Sequence, residues 1–187
     1  MADSRRWRYD DAMTDIASQL RDTIRGAKAV CAGLSKEQLT AHPVPGWSIA
    51  ECIEHLNTGN RKMLAAIEAA VAGAPPSRGE RKLRLLERIF LWALEPPSRV
   101  KVKAPPSFQP PVGTPDPERA LADFGSLVES AAAFAERTSA LAIDQVKVSS
   151  PASDKLQYSV WACLHIIAAH NRRHIWQAGK VRSKLAS

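Results

Sequence analysis

Apolar residues recur at steps of three and four near the start of the chain, and this spacing predicts a helix over residues 10–33. The repeating positions are Met13, Ile16, Leu20, Ile24, Ala27 and Cys31. Gly33 fits the end of this helix, because glycine readily adopts the left-handed backbone that often follows a last helical turn. A single short turn is expected to start at Ser35, since Gln38 completes the capping-box spacing.

A second long helix is predicted over residues 48–73. Ser48 is a favourable N-cap, and Glu51 stands three residues later, where its carboxylate can reach back to the Ser48 amide. The apolar stripe then continues through Ile53, Leu56, Met63, Leu64, Ile67 and Val71. Gly73 and the prolines after it end the pattern.

The same periodicity predicts further helices over residues 80–94, 117–138 and 159–182. Asp116 and Pro117 form an N-cap followed by a proline at the first helical position, and Ser159 is the expected cap of the last helix. Residues 142–158 are predicted to form a loop, with at most a short extended piece at 145–148. We find no convincing strand pair in the sequence.

These segments predict an all-α fold: a four-helix bundle with one short extra helix, formed as a single domain over residues 1–187. The connection between bundle helices two and three covers residues 74–115, which is long enough to carry the chain back across the bundle. Eight prolines lie within residues 96–117, so this part of the crossover is expected to be extended over the surface. Such long connections within a domain are often functional.

The composition of the chain indicates the compartment in which we expect the protein and the classes of partner that we do not expect. The three cysteines form no CxxC pair, which favours a reducing compartment. The N-terminal basic residues are not followed by the apolar segment of a secretory signal, and no apolar run approaches the roughly 20 residues of a membrane span. We therefore expect a cytoplasmic protein without a membrane partner. The formal charge of +7 is spread among acidic residues and carries no nucleic-acid motif, so nucleic acid is not the expected partner.

Two histidines share one face of the predicted last helix. His170 and His174 are four residues apart, which places them about 40° apart around the axis and one turn along it. A helix commonly offers two imidazoles to one metal ion in this way. His55 is the best third ligand, because it lies where the apolar face of its helix meets solvent and the small residue Gly59 leaves room nearby. Three histidines with open positions are typical of a catalytic metal site.

The other histidines fit such a site less well. His165 lies about 140° around the helix from His170, so we expect a partly buried histidine that is hydrogen-bonded elsewhere. His42 precedes a proline in a loop and reaches the site only through loop folding. Asn171 occupies the position at which the HExxH metalloprotease motif places its general base, so that chemistry does not fit. The sequence contains no P-loop, GxGxxG or GxSxG motif.

Two motifs of the chain resemble those of the DinB/YfiT-like superfamily. The run GWSIAECIEHL over residues 46–56 is similar to the family pattern W-[ST]-x-x-E-x-x-x-H-L at the start of the second helix. The run HNRRHIWQ over residues 170–177 is similar to its C-terminal H-x-x-x-H-x-x-Q pattern. The proline-containing segment at residues 103–110 also resembles a branch of this family.

The resemblance implies an up-down-down-up bundle and one divalent metal, nickel or zinc, on His55, His170 and His174. It implies a metal-dependent enzyme with a small-molecule substrate. Activities known among relatives suggest a thiol-dependent S-transferase with a low-molecular-weight thiol cosubstrate, or a related hydrolase or isomerase. The alternative is a non-catalytic, stress-associated bundle that binds a metal or another ligand. The resemblance leaves open whether the protein is a homodimer.

Three further residues flank the expected ligands. Glu51, one turn before His55, either orients that ring or serves only as the helix cap. Arg173 and Gln177 flank the histidine pair and are candidates for contact with substrate or with a neighbouring helix. Trp47 and Trp176 are expected to pack rather than to bind substrate. No catalytic residue is identified from the sequence.

Overall fold

The computed structural model describes residues 15–97, 105–110 and 115–185, and its helices follow the predicted apolar segments. The six α-helices in this part of the chain are α1 (Ile16–Cys31), α2 (Lys36–Thr40), α3 (Ile49–Ala70), α4 (Leu85–Leu94), α5 (Pro117–Arg137) and α6 (Val160–Leu185). Short 3-10 turns occur at Val71–Gly73 and Pro106–Phe108. The predicted start of the first helix at residue 10 lies outside the described residues.

Three of the predicted helix starts, those of α3, α5 and α6, are confirmed by their caps. Ser48 Oγ accepts from the Glu51 amide at 3.2 Å, and the Glu51 carboxylate accepts from the Ser48 amide at 2.7 Å. Asp116 caps α5 through two backbone amides, and Ser159 Oγ accepts from the Ala162 amide at the start of α6. Each cap satisfies amides that the first helical turn leaves without partners, so each fixes where its helix begins.

The four long helices form a bundle around one apolar core, which confirms the predicted fold class. Helix α1 packs against α5 and α6, and α3 packs against the same two helices. The largest side chains that are almost completely buried between them include Leu20, Ile53, Leu56, Phe124, Phe134 and Leu164. A smaller apolar cluster joins the short helix α2 to the first turn of α3 and the last turns of α6.

Pairs of contacts define the relative directions of the helices. Asn57 donates to the Ala120 carbonyl, and the Glu68 carboxylate pairs with Arg137. Residue numbers rise together in these two contacts, so α3 and α5 run in the same direction.

Helices α1 and α6 are also parallel, and α6 is antiparallel to α3. Thr23 accepts from Asn171, and the Val30 carbonyl accepts from Arg182, so residue numbers on α1 and α6 rise together. Between α3 and α6 they fall: Trp47, just before α3, contacts His174, whereas Gly59 lies beside His170. This antiparallel pair carries all of the predicted metal ligands.

The loop predicted over residues 142–158 is wrong in part, because the structure has a β-hairpin there, whose first strand overlaps the extended piece expected at 145–148. Strands β1 (Lys147–Ser150) and β2 (Ser153–Ser159) pair antiparallel, with Val148 opposite Tyr158. Tyr158 is buried and stacks on Phe90 with 5.3 Å between the ring centroids. The strands are rich in serine and lack a strong turn signal, so packing against the helical core, which local sequence does not reveal, stabilises them.

The third helix was predicted to begin at residue 80, but α4 begins at Leu85. Arg81 explains the difference, because its guanidinium donates to the carbonyls of Thr138, Ser139 and Leu141. This holds residues 80–84 as irregular chain against the end of α5. Four of the five exposed large apolar side chains in the described ranges lie on α4: Leu85, Leu86, Ile89 and Trp92. No helix in these ranges is both long and apolar enough to cross a bilayer.

A buried carboxylate joins the start of α4 to the start of α6. Glu87 is only 3% exposed. One of its oxygens accepts from the Ser159 amide at 2.7 Å, and the other accepts from the Arg84 amide at 2.8 Å. These are charge-assisted hydrogen bonds in a site from which water is excluded, so the carboxylate fastens the crossover to the bundle.

We predict that Glu87→Ala lowers the free energy of unfolding by about 1–3 kcal/mol, because it leaves the buried Ser159 amide without an acceptor. Glu87→Gln should fall between this variant and the wild type, since the amide oxygen restores one bond. Urea denaturation at pH 7 measures the difference. Glu80→Ala, at an exposed position on the same segment, is the control and should change stability by less than about 0.5 kcal/mol. Equal stability of the two alanine variants would show that Glu87 does not fasten α4.

Candidate metal centre

Three histidines from two helices come together at the interface of α3 and α6. The ligand atoms of His55, His170 and His174 all lie within 4.8 Å of one another. The Nε2 atoms of His55 and His170 are 3.2 Å apart. The sequence predicted these residues as one site, and the structure brings all three together.

Helix geometry explains this convergence. His170 and His174 stand one turn apart on α6, with 4.6 Å between their ring centroids. His55 approaches from α3, and its ring centroid lies 4.4 Å from that of His174. Gly59 lies one turn after His55 and provides space, because a Cβ there would already be 3.6 Å from Cε1 of His170. A larger residue at Gly59 would therefore displace the His170 ring.

The orientation of the His55 ring is set by the backbone of the crossover. Its Nδ1 lies 2.6 Å from the carbonyl oxygen of Phe108. A carbonyl can only accept, so Nδ1 carries the proton and donates it. In the neutral ring Nε2 is then left with its lone pair, directed toward His170. This is the usual arrangement of a metal-binding histidine, in which the nitrogen away from the metal donates to a carbonyl or carboxylate.

One ring nitrogen of His174 has no hydrogen-bond partner among the described residues of the site. This nitrogen, Nδ1, is buried. Burying a polar atom without a partner costs free energy, so such atoms in native structures call for an explanation. A ligand bound between the three rings would supply one.

Burial keeps the three imidazoles neutral. It lowers the pKa of His55, although the hydrogen bond to the Phe108 carbonyl acts in the opposite direction. Burial, with the charges of His55 and Arg173, lowers the pKa of His170 to about 3. Burial and the neighbouring His170, His55 and Arg173 lower the pKa of His174 to about 2, against the opposing effect of a hydrogen bond with Gln177. Neutral imidazole is the form that coordinates metal ions.

The donor set fits a divalent transition metal. Three imidazole nitrogens are suitable ligands for zinc, nickel, copper or iron. No described Asp, Glu or Cys places a ligand atom within 4.8 Å of all three histidine nitrogens. A three-nitrogen set leaves coordination positions for water or substrate, as catalytic sites do.

The flanking residues chosen from the sequence have different surroundings. The Glu51 carboxylate is engaged by the Ser48 amide and by His42 Nε2, 2.6 Å away, and the ring of His55 is held by Phe108 instead. Arg173 donates to the Ala93 carbonyl at the end of α4, and its charge acts on His170 and His174. Gln177 interacts with His174.

The remaining aromatic residues and histidines complete the surroundings. The Trp47 ring packs 4.7 Å from that of His55 and 5.8 Å from that of His174, measured between centroids, so it forms one wall of the site. Trp176 lies beneath the Lys180 ammonium instead. His165 is buried with its ring edge-on to Trp161 and does not join the cluster. It was expected to be partly buried and hydrogen-bonded elsewhere, but its Nε2 is buried without a hydrogen-bond partner among the described residues.

The sequence did not indicate two residues that act on the site: Phe108, whose carbonyl contacts His55, and Lys62, which contacts the turn that contains Phe108. A partial signal was present, since the crossover was expected to be functional and residues 103–110 resembled the family. Lys62 also lies seven residues after His55, which places it on the same face of α3. No periodicity indicates that a backbone carbonyl of a loop will reach a particular ring.

Comparisons with known proteins show the family and the fold of the chain. A family model, described as the DinB superfamily, matches residues 19–178. Among solved structures, the chain is similar to one described as "YfiT from Bacillus subtilis is a probable metal-dependent hydrolase with an unusual four-helix bundle topology". The TM-score is 0.64 and the sequence identity 14%, over 97% of this chain and 92% of that chain. At this identity the similarity shows the fold alone. No curated protein gives a significant match.

We predict that His165 makes the folded protein sensitive to mild acid. Burial, with the charge of Arg172, lowers its pKa to about 4, whereas the unfolded chain has a pKa near 6.5. Between these values the unfolded state binds more protons, so the free energy of unfolding falls as the pH falls from about 6.5 to about 4.

His165→Gln removes the contribution of His165 to the pH dependence of the free energy of unfolding. The other histidines contribute equally in the variant and in the wild type. Urea denaturation of metal-free protein at pH 7 and pH 4.5 should show that the variant loses about 1–3 kcal/mol less stability than the wild type over this interval. Identical losses would contradict the assignment of a buried, neutral His165.

Proposed function

The chain belongs to the DinB superfamily, and on this premise we propose that it is a metal-dependent enzyme that holds one divalent ion with His55, His170 and His174. The observation that carries the proposal is the convergence of three buried imidazoles within 4.8 Å. Such a cluster has little value to the fold alone, because each ring gives up hydration and Nδ1 of His174 gains no partner in exchange.

The chain's own groups prepare the site. The Phe108 carbonyl fixes the His55 tautomer, Trp47 excludes water on one side, and Gly59 gives the His170 ring room. A bound divalent ion would act as a Lewis acid and lower the pKa of a coordinated nucleophile, so that the nucleophile forms at neutral pH. Zinc and nickel are the metals that the family resemblance implies, and imidazole is a suitable ligand for both.

The charge around the site favours an anionic small molecule. Three neutral imidazoles leave the positive charge of a divalent ion uncompensated, and the nearby Arg173 adds to it. No carboxylate of the described residues joins the cluster to act as a general base. A thiol loses its proton much more easily than water does, so it needs such a base least. These features support a thiol-dependent S-transferase with a low-molecular-weight thiol cosubstrate.

A related hydrolase is the second candidate, because the printed description of the structural neighbour YfiT is of a probable metal-dependent hydrolase. In that reaction water would take the place of the thiol. The two candidates share the metal ligands and differ in the nucleophile, so a single panel of assays separates them.

The metal content tests the site directly. Purified protein loaded with zinc or nickel and freed of excess ion should retain about one ion per chain by elemental analysis, as expected for a single three-histidine site. His170→Ala should lose it, because two imidazoles hold an ion far less tightly than three. His165→Ala is the matched control on the same helix and should keep the ion. Full occupancy after all three ligands are replaced would place the metal elsewhere.

Activity distinguishes the reaction classes. We expect the metal-loaded protein to conjugate bacillithiol, mycothiol or glutathione to an electrophile panel, and we expect His174→Ala to abolish the reaction. Hydrolysis of ester or amide substrates without added thiol would instead support the hydrolase. If the fully loaded protein is inactive in both sets of assays, the non-catalytic metal-binding bundle is the better description.

A further inference from the structure

A short piece of the crossover is fastened over the histidine cluster. We refer to residues 105–110 as the strap. Its centre is the 3-10 turn Pro106–Phe108, closed by a hydrogen bond of 2.9 Å from the Phe108 amide to the Pro105 carbonyl. The strap touches α3 at His55, Gly59 and Lys62, although the hydrogen-bonded pairs are separated by 53 and 45 residues in sequence.

Lys62 makes two contacts with this turn. Its ammonium donates to the Ser107 carbonyl at 2.6 Å and lies 4.5 Å from the centroid of the Phe108 ring. The first contact fixes the peptide that precedes Phe108, and the second fixes the Phe108 side chain through a cation–π interaction. Both contacts restrain the residue whose carbonyl reaches His55.

The same turn acts directly on the ligand set. The Phe108 carbonyl accepts the Nδ1 proton of His55 at 2.6 Å. The Phe108 ring also lies beside Gly59, 3.9 Å from where a Cβ would be, and that position is 3.6 Å from His170. Displacing the turn would therefore remove the acceptor from His55 and open the side of the site next to His170.

We propose that Lys62 is a positioning residue of the metal centre. By holding the Ser107–Phe108 turn in place, Lys62 keeps the proton of His55 on Nδ1 and leaves Nε2 free to bind the ion. Without this acceptor both tautomers of His55 become populated, and one of them carries a proton on the nitrogen that the metal needs. The inference rests on the proposed metal site and assigns to this lysine a role that the family motifs do not include.

The test uses Lys62→Met, which keeps the aliphatic stem but removes the ammonium. Zinc affinity, measured by competition with a chromophoric chelator, should fall about 10- to 100-fold, the effect usual for loss of a partner that orients a ligand. Lys62→Arg should restore most of the affinity, since a guanidinium can make both contacts. Arg61→Met, at the neighbouring exposed position, is the matched control and should bind zinc like the wild type. The urea midpoints of the metal-free proteins should agree, which separates positioning from folding.

A second readout does not require metal. The nitrogen-15 chemical shifts of His55, assigned by comparison with His55→Gln, report which ring nitrogen carries the proton. The metal-free wild type and Lys62→Arg should show protonated Nδ1, whereas Lys62→Met should show a mixture of tautomers. Either of two results for Lys62→Met would overturn the inference. One is nitrogen-15 shifts equal to those of the wild type. The other is a zinc affinity equal to that of a wild type that binds zinc. A wild type that binds neither zinc nor nickel would defeat the proposed function, and the tautomer comparison would still decide the role of Lys62.

Discussion

Three imidazoles share one buried space between α3 and α6, and the rest of the site depends on keeping them neutral there. Burial lowers the pKa of each ring, and the mutual influence of the rings reinforces this for His170 and His174. Neutral rings present lone pairs, and lone pairs held close together repel one another unless a proton or a cation lies between them. A proton shared by the Nε2 atoms of His55 and His170 meets this need for one pair of rings, and the proposed cation would meet it for all three. The Nδ1 of His174, buried without a partner, is consistent with the same requirement.

The bundle meets this requirement with few local features. The antiparallel packing of α3 and α6 places one turn of each helix side by side, and the small residue Gly59 allows close approach. Glu51 fixes the start of α3, and therefore the position of His55 along the bundle axis. Because its carboxylate is used in this cap, it stays out of the ligand set. The long crossover then returns to α3 and supplies, through Phe108, the acceptor that orients His55.

Much of this could be predicted from the sequence, and the parts that could not have a common cause. Helical periodicity indicated the face shared by His170 and His174 and excluded His165, and capping residues indicated where the helices begin. All of these signals are local. The hairpin, the late start of α4 and the Phe108–His55 contact arise from long-range packing: Tyr158 on Phe90, Arg81 on the end of α5, and a loop carbonyl on an imidazole. Residue types and spacing carry little information about such contacts, least of all when a backbone atom makes them.

The central claim is that His55, His170 and His174 together are the protein ligands of one divalent ion. X-ray absorption spectroscopy of zinc-loaded protein at the metal edge counts and identifies the donor atoms directly. The account predicts three imidazole nitrogens at about 2.0–2.1 Å, with the remaining positions filled by light atoms from solvent. A first shell that contains sulfur from a cysteine, or fewer than three imidazoles, would contradict it.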